Sequence, residues 1–369
     1  MAARKLAYLT PLYFDDASCI GGGERYPHNL AVGVATHSDG EFEVDLISYG
    51  PESLTRAICP GVTLKVLRAA RKPRVSLDVV SWDVPEAIAN ADLVHIHMAY
   101  TRSNEVAMLA AKIQRKPVVV TDHGGHSSWL GASLGILDLA DQITCYSDFG
   151  KSFYRTSTPI TVVKGGVNGD QFTPPSRRLK RDRVLYVGRL LPHKGIDNLI
   201  KALPDGLKLT VCGRPYHPEY FALLKSLATG KDVEFVTDAD DAKILELYRR
   251  AWVNVLPSVY RDCYGTSHVA PELMGFTLLE AMACGTPAIC ANTAAMPEFV
   301  RHGETGFVFD TIEELSEQLS MLATTPELVE RMGRAARHAI DTEFDLKVVA
   351  RTMADIYRNL IERREEAVA

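Results

Sequence analysis

The chain has 369 residues, of which 46% are hydrophobic and 24% are charged, and its formal net charge is −5. This length suits two domains rather than one core, and the negative charge argues against general nucleic-acid binding. We find neither a signal peptide nor an apolar run of about 18 residues. The seven cysteines are scattered without a CxxC pair, which favours a reduced, cytoplasmic protein over a disulfide scaffold or a zinc site.

Two series of short β-rich runs alternate with helical patterns, which predicts an α/β protein with two parallel sheets covered by helices. The predicted strands are residues 5–10, 43–49, 92–98, 117–123 and 142–147 in the first series, and 183–189, 208–213, 233–237, 253–258 and 286–292 in the second.

The domain boundaries follow from a proline- and charge-rich segment between the two series. We predict a first domain over 1–172, a linker over 173–182, a second domain over 183–340 and a C-terminal helix over 341–369 that crosses back to the first domain. Two such doubly wound domains would face each other across a cleft, and ligands would bind outside the carboxyl ends of the strands.

The segment PELMGFTLLEAMACGTP, residues 271–287, holds Glu272 and Glu280 with seven residues between them. Because Pro271 and Gly275 disfavour one helix through both glutamates, we predict a helix that begins near Phe276. The unpaired N–H groups at the start of this helix would bind phosphate. Along the sequence, a carboxylate is therefore followed by a phosphate site and then by a second carboxylate. A nucleotide sugar has hydroxyls, diphosphate and ribose in the same order. Taken alone, an ordinary buried helix explains this segment about equally well.

This segment and most of the chain resemble the retaining glycosyltransferases of family 4, which adopt the GT-B fold and carry an E-x7-E motif. The matching stretches are, in order, GGGE, TDHGGH, YVGRLLPHKGIDNLIKAL, the E-x7-E segment and MPEFVRHGETGFVFD. The resemblance implies a retaining hexosyltransferase that moves a sugar from a nucleotide-diphospho sugar to an acceptor hydroxyl on a glycan, a lipid-linked molecule or a small molecule. It also implies front-face attack assisted by the leaving phosphate, with no metal and no cofactor.

The resemblance assigns roles residue by residue. Glu280 would bind the ribose hydroxyls, Arg189 and Lys194 would neutralise the diphosphate, and Glu272 and His123 would lie by the donor sugar. An arginine and a lysine after a strand end also suit a leaving diphosphate on electrostatic grounds. The predicted catalytic residues are therefore His123, Glu272, Arg189 and Lys194. The other residues predicted to bind the donor are Gly22, Gly23, Gly188, Gly213, Arg214, Met274, Gly275, Phe276, Thr277 and Glu280.

Four histidines lie at two neighbouring strand ends: His95, His97, His123 and His126. His95 and His97 would share one face of a regular strand, which makes a metal site conceivable. No cysteine or carboxylate completes an evident ligand set, so we predict no metal, with His97 and His126 contacting the acceptor. The DAD sequence at 238–240 precedes a helical pattern, which favours helix capping over metal binding.

The sequence departs from the family pattern directly beside the first glutamate. Leu273 and Met274 replace the usual small residue and phenylalanine, and the loop 258–271 is longer than the family's short link. The common pattern therefore does not specify the donor sugar.

A basic cluster in the first domain suggests peripheral contact with a phosphorylated or lipid-linked acceptor, although a solvated loop is the favoured interpretation. Its members are Lys65, Arg68, Arg71, Lys72 and Arg74.

Other functions on the same architecture are a nucleotide-sugar epimerase, a glucan phosphorylase, or a non-catalytic subunit that binds nucleotide sugars. A phosphorylase needs a pyridoxal-phosphate lysine and usually a much longer chain. An intact set of charged site residues argues against a non-catalytic subunit.

Overall fold

The computed structural model describes residues 3–11, 22–71, 77–123, 133–177 and 179–368. The chain divides into two compact units. The first consists of Met1–Tyr146, Lys151–Gly166 and Leu346–Ala369, and the second of Ser147–Gly150 and Val167–Asp345. The predicted linker, 173–182, thus lies inside the second unit, and the C-terminal helix belongs to the first.

The first unit is built on an eight-stranded sheet. Its strands are β1 (Arg4–Leu9), β2 (Phe42–Gly50), β3 (Leu54–Cys59), β4 (Val62–Arg68), β5 (Leu93–His97), β6 (Val118–Thr121), β7 (Gln142–Cys145) and β8 (Ile160–Val162). Their order is β3-β4-β2-β1-β5-β6-β7-β8. All pairs are parallel except β3 with β4, which are antiparallel at one edge. The central strands β5 and β6 are buried along their whole length, as expected of a sheet that is covered on both faces.

The second unit contains a six-stranded sheet. Its strands are β9 (Arg183–Val187), β10 (Lys208–Cys212), β11 (Asp232–Val236), β12 (Ala251–Leu256), β13 (Ala288–Ala291) and β14 (Gly306–Phe309). They run parallel in the order β11-β10-β9-β12-β13-β14. The two units, each with a Rossmann-like and largely parallel sheet, confirm the predicted α/β class with two doubly wound domains.

The helices alternate with the strands along most of the chain. They are α1 (Gly22–His37), α2 (Val84–Ala87), α3 (Arg102–Ile113), α4 (Asp148–Lys151), α5 (Ile196–Ala202), α6 (Pro218–Leu227), α7 (Asp241–Arg250), α8 (Phe276–Ala283), α9 (Ile312–Thr324), α10 (Pro326–Ala339) and α11 (Leu346–Val368). In the first unit α11 packs against α1, where the bare backbone of Gly33 lies against the side chains of Leu346 and Ala350. None of the helices in the described part of the chain is long and apolar enough to cross a membrane.

The predicted strands are all present, but the sequence analysis missed β3, β4, β8 and β14. The interpretation of the basic cluster as a loop is wrong for Lys65 and Arg68, which lie in β4. In VTLKVLR the buried Val62, Leu64 and Val66 alternate with the partly exposed Thr63 and Lys65, and Lys65 pairs with Asp45 of β2 at 2.7 Å. Lys72 and Arg74 lie outside the described residues.

Candidate functional site

The second sheet reverses its strand order between β9 and β12. From β9 the chain proceeds outward to β10 and β11, whereas β12 starts the other half of the sheet, followed by β13 and β14. In open parallel sheets, ligands bind outside the carboxyl ends of the strands at such a switch point, because the connections on its two sides leave in opposite directions. The segments that follow β9 and β12 carry most of the predicted site residues of this unit.

The loops after β9 and β10 run in direct backbone contact. Gly213 has a φ of +154°, and a Cβ atom on it would lie 1.7 Å from the carbonyl oxygen of Gly188. The N–H of Leu190 donates to the carbonyl of Arg214 at 2.9 Å, which ties the loops together. The side chains of Arg189 and Arg214 are exposed, so both are accessible to an anionic ligand.

The loop after β9 also reaches β12 through a glycine. Gly195 has a φ of +64°, and a Cβ atom there would lie 2.0 Å from the carbonyl oxygen of Pro257. This approach brings Lys194 to Glu272, to which its ammonium donates. The hydroxyl of Ser258 donates to the same carboxylate oxygen at 2.9 Å. Since Lys194 is only 9% exposed, the structure holds a largely desolvated ion pair at the switch point.

Helix α8 begins at Phe276, as predicted, with Gly275 as its N-cap at a φ of +82°. A glycine has no side chain with which to cap the helix. Among the described residues, none accepts a hydrogen bond from the N–H of Phe276 or Thr277. Met274, just before the cap, is buried. The helix thus presents two backbone donors at its positive end, an arrangement that suits an anion.

Glu280 lies in the second turn of α8 and is 8% exposed. The hydroxyl of Tyr248, from helix α7, donates to its Oε2 at 2.7 Å. Burial, and then the Glu280 carboxylate, raises the pKa of Tyr248 well above its usual range, so the phenol keeps its proton and orients the carboxylate. The sequence analysis missed Tyr248, because no motif distinguishes it from the other residues of an amphipathic helix.

The long loop after β12 folds into an antiparallel hairpin. The N–H of His268 donates to the carbonyl of Tyr260 at 2.7 Å, and the N–H of Asp262 donates to that of Thr266 at 3.0 Å. Gly265 closes the turn with a φ of +84°, a conformation that glycine adopts without strain. Residues 260–268 are therefore called the 260–268 hairpin below. The sequence indicated an insertion here but not its shape.

His123, the predicted catalytic residue of the first unit, is bonded through both ring nitrogens. Its Nε2 lies 2.9 Å from Nδ1 of His97, and its Nδ1 is bonded to the hydroxyl of Tyr146. Burial lowers the pKa of His123 to about 3 and that of His97 well below its usual range. Contact with a sugar through a ring nitrogen of His123 would thus replace one of these bonds.

The neighbouring histidine, His95, shares a strand face with His97 as predicted, their ring centroids being 4.1 Å apart. Its nitrogens are bonded to Tyr357 at 2.7 Å and Thr121 at 2.8 Å, so it is a buried structural residue. Within the described ranges, no group of three or more His, Cys, Asp or Glu side chains is arranged to hold a metal ion. In the DAD sequence, Asp240 caps helix α7, which confirms the capping interpretation.

Gly22, Gly23 and His126 were also predicted to lie in the site. Gly22 and Gly23 form the first residues of helix α1. His126 lies outside the described residues.

Two family models match consecutive parts of this sequence. Residues 20–171 match the model "Glycosyltransferase Family 4", and residues 169–339 match "Glycosyl transferases group 1".

A curated relative of similar length is the glycogen synthase of Mycobacterium tuberculosis (strain CDC 1551 / Oshkosh). It is 25% identical over 389 aligned residues, which cover 92% of this chain and 91% of that protein.

Solved structures of similar fold include sucrose-phosphate synthase from Thermosynechococcus elongatus, with a TM-score of 0.75 at 19% identity over 98% of this chain and 100% of that one. Another is Anabaena Alr3699/HepE in complex with UDP and glucose, with a TM-score of 0.70 at 17% identity over 96% and 100% of the two chains.

Proposed function

We propose that this chain, a GT-B glycosyltransferase with a family 4 segment followed by a group 1 segment, transfers a sugar from a nucleotide-diphospho sugar to an acceptor hydroxyl with retention of configuration. The observation that carries this proposal is the arrangement around the switch point of the second sheet. The Lys194–Glu272 ion pair, the uncapped start of α8 and the oriented Glu280 carboxylate occur together there.

The uncapped end of α8 is the proposed diphosphate site. The N–H groups of Phe276 and Thr277 would donate to phosphate oxygens, since the helix dipole favours negative charge at this end. Lys194 and the exposed Arg189 would add positive charge, which stabilises the leaving diphosphate as the glycosidic bond breaks. With two cations and two backbone donors at one site, charge neutralisation needs no divalent metal.

The two carboxylates would bind the two ends of the donor. Glu280, oriented by Tyr248, would accept hydrogen bonds from the ribose hydroxyls, and Glu272 would accept them from the transferred sugar. Glu272 would do so while bonded to Lys194 and Ser258, which hold its carboxylate in place.

The proposed chemistry is the front-face attack that the family resemblance implies. The acceptor hydroxyl would attack the donor carbon from the face that the diphosphate leaves, and a diphosphate oxygen would take the hydroxyl proton. The protein would contribute orientation and charge stabilisation.

A direct test begins with nucleotide sugars that differ in base, namely UDP-glucose, GDP-mannose and ADP-glucose. We expect one of them to raise the melting temperature and to be consumed in the presence of an acceptor from a panel of glycogen, free sugars and sugar phosphates. Proton NMR of the new linkage should give the donor's anomeric configuration, and exhaustive chelation should leave the rate unchanged. An inverted product contradicts retention, a rate that only a divalent metal restores contradicts metal independence, and binding without turnover indicates a non-catalytic subunit.

The two glutamates should affect different halves of the donor. We expect Glu280→Ala to weaken both the donor and the free nucleoside diphosphate by roughly tenfold to a hundredfold, the value of a hydrogen bond to a charged group. Glu272→Ala should leave nucleoside diphosphate affinity nearly intact and lower turnover, since its contact orients the sugar. Calorimetric titration of each variant with UDP, GDP and ADP, beside steady-state rates, makes the comparison.

Two further variants complete this test. Glu317→Ala changes an exposed carboxylate on α9 of the same unit and should behave as wild type. Tyr248→Phe removes only the hydroxyl that orients Glu280 and should weaken nucleoside diphosphate binding less than Glu280→Ala does. Equal losses of nucleoside diphosphate affinity in Glu272→Ala and Glu280→Ala would show that the proposed order along the donor is wrong.

A further inference from the structure

Asp262 is the centre of the 260–268 hairpin. Its Oδ1 accepts hydrogen bonds from the N–H groups of Tyr264 at 2.9 Å and Thr266 at 3.0 Å, and its Oδ2 lies 2.9 Å from Nε2 of His268. The Asp262 side chain is 5% exposed, so these bonds are not shared with bulk water. A carboxylate can only accept, so this contact places a proton on Nε2 of His268, and in the neutral form of the ring Nδ1 carries a lone pair.

The hairpin holds this imidazole against His193, in the loop after β9. The ring of His268 lies 4.9 Å, centroid to centroid, from that of His193, the residue before Lys194. The N–H of Val259, at the base of the hairpin, donates to the carbonyl of His193 at 2.9 Å. The preceding residue, Ser258, is bonded to Glu272. His268 is thus in ring contact with the residue that precedes Lys194, and Ser258, just before the hairpin, contacts Glu272.

A further contact fixes the hairpin on the other side. The hydroxyl of Tyr260 accepts from the N–H of Ala294, in the segment that follows β13, at 2.9 Å. The N–H of Ala295 in turn donates to the carbonyl of Glu272 at 3.4 Å. The hairpin is therefore braced against the loops after β9 and β13, and the position of His268 does not depend on a single contact.

We propose that His268 is a specificity-determining residue whose Nδ1 accepts a hydrogen bond from a hydroxyl of the transferred sugar. Nδ1 has no hydrogen-bond partner among the described residues, and the side chain is 27% exposed. In the neutral ring, the lone pair of Nδ1 accepts from a hydroxyl but not from an ionised phosphate, so the proposed ligand is the sugar and not the diphosphate. The inference rests on the proposed function, in which the neighbouring Glu272 faces the same sugar.

Asp262→Asn tests the tautomer without removing the turn. An asparagine oxygen still accepts from the N–H groups of Tyr264 and Thr266, while its amide then donates to Nε2 of His268. The ring proton therefore moves to Nδ1, which becomes a donor and no longer accepts from the sugar. His268→Asn, in contrast, can place an amide oxygen near the position of Nδ1 and should retain part of the contact.

The experiment measures affinity by calorimetry for three matched ligand pairs, UDP-glucose with UDP, GDP-mannose with GDP and ADP-glucose with ADP. For the pair whose sugar nucleotide the wild type binds, we expect His268→Ala and Asp262→Asn to weaken the nucleotide sugar about tenfold, the value of one hydrogen bond, and to leave the free diphosphate unchanged. His268→Asn should weaken it less. Cys263→Ser, an exposed position in the same turn, is the matched control and should equal wild type. A series of donors, each lacking one sugar hydroxyl, then locates the contact. For one of these deoxy donors, wild type and His268→Ala should bind with equal affinity.

The outcomes separate this inference from the proposed function. If no nucleotide sugar or diphosphate binds the wild type, the proposed function fails. If donors bind and His268→Ala leaves their affinity unchanged but raises the KM of the acceptor, the hydroxyl belongs to the acceptor and the donor assignment is overturned. Equal weakening of nucleotide sugar and free diphosphate in His268→Ala and Asp262→Asn would show that the hairpin only supports the fold.

Discussion

Replacing Lys194 by methionine is expected to lower turnover by about 10²–10³-fold, the usual effect of removing one group that stabilises charge in the transition state. The ammonium is desolvated and bonded to Glu272, so methionine, which preserves the aliphatic volume, removes only the charge. The rate at saturating donor is the quantity to measure, because the effect arises as the diphosphate leaves.

The same substitution has a second, separable consequence. Breaking a buried ion pair leaves an uncompensated carboxylate on Glu272 and typically costs about 3–5 kcal/mol of stability. The double variant Lys194→Met with Glu272→Gln removes that charge and should recover most of the stability without recovering turnover. Lys208→Met, at an exposed position of the same unit, should change neither quantity. Recovery of turnover together with stability in the double variant would mean that Lys194 is structural only.

Acidification from pH 7 to pH 5 is expected to destabilise the first unit, by about 2 kcal/mol through His123 alone. Burial lowers the pKa of His95 and of His97 well below the usual value, so the folded state binds fewer protons than the unfolded state, where histidine titrates near 6.5. Their contribution is fully present above about pH 6.5 and is lost as the pH falls toward the folded-state pKa. For the neighbouring His123, whose folded-state pKa is about 3, the interval of about 1.5 units between pH 6.5 and pH 5 at about 1.36 kcal/mol per unit corresponds to about 2 kcal/mol, and His95 and His97 act in the same direction.

Urea titrations at pH 7, 6 and 5 measure this dependence. The interval from pH 5 to pH 7 lies above the pH range in which exposed carboxylates titrate. The histidines therefore dominate the change of the free energy of unfolding with pH. A variant with His95→Gln and His97→Gln should have a shallower slope, whatever its stability at pH 7. His338→Gln, an exposed position on α10, should keep the wild-type slope. Equal free energies of unfolding at pH 5 and pH 7 would mean that these rings do not remain neutral in the folded chain.

The local features of the fold were accessible from the sequence. Apolar runs such as VVVT predicted buried central strands, and Gly275 after Pro271 predicted the start of helix α8 at Phe276. Asp240 before an amphipathic helix predicted a cap. Strand β3 was missed because it is exposed along most of its length and is held by its pairing with β4, a contact that depends on more than the local sequence. Strand β4 does alternate between buried and partly exposed residues, a pattern that the sequence analysis did not recognise.

The candidate site was predicted as a set of residues, but not as a set of contacts. The motifs gave Lys194, Glu272 and Glu280, each at the end of a strand or the start of a helix. Only the tertiary structure pairs Lys194 with Glu272 across 78 residues of sequence and Tyr248 with Glu280 across 32. In the tertiary structure, both ring nitrogens of His123 are also bonded to residues of the first unit.

The sequence by itself determined the alternation of strands and helices, the helix ends and the family resemblance, because these depend on residues close together along the chain. The tertiary structure alone decided which loops meet at the switch point and that the loop after β12 becomes a hairpin holding His268 by Asp262. The physical reason is that the order of strands in a parallel sheet is set by the packing of all its helices and crossovers together. The chemistry of this site depends on that order, since side chains distant in sequence become neighbours only where two strand ends lie side by side.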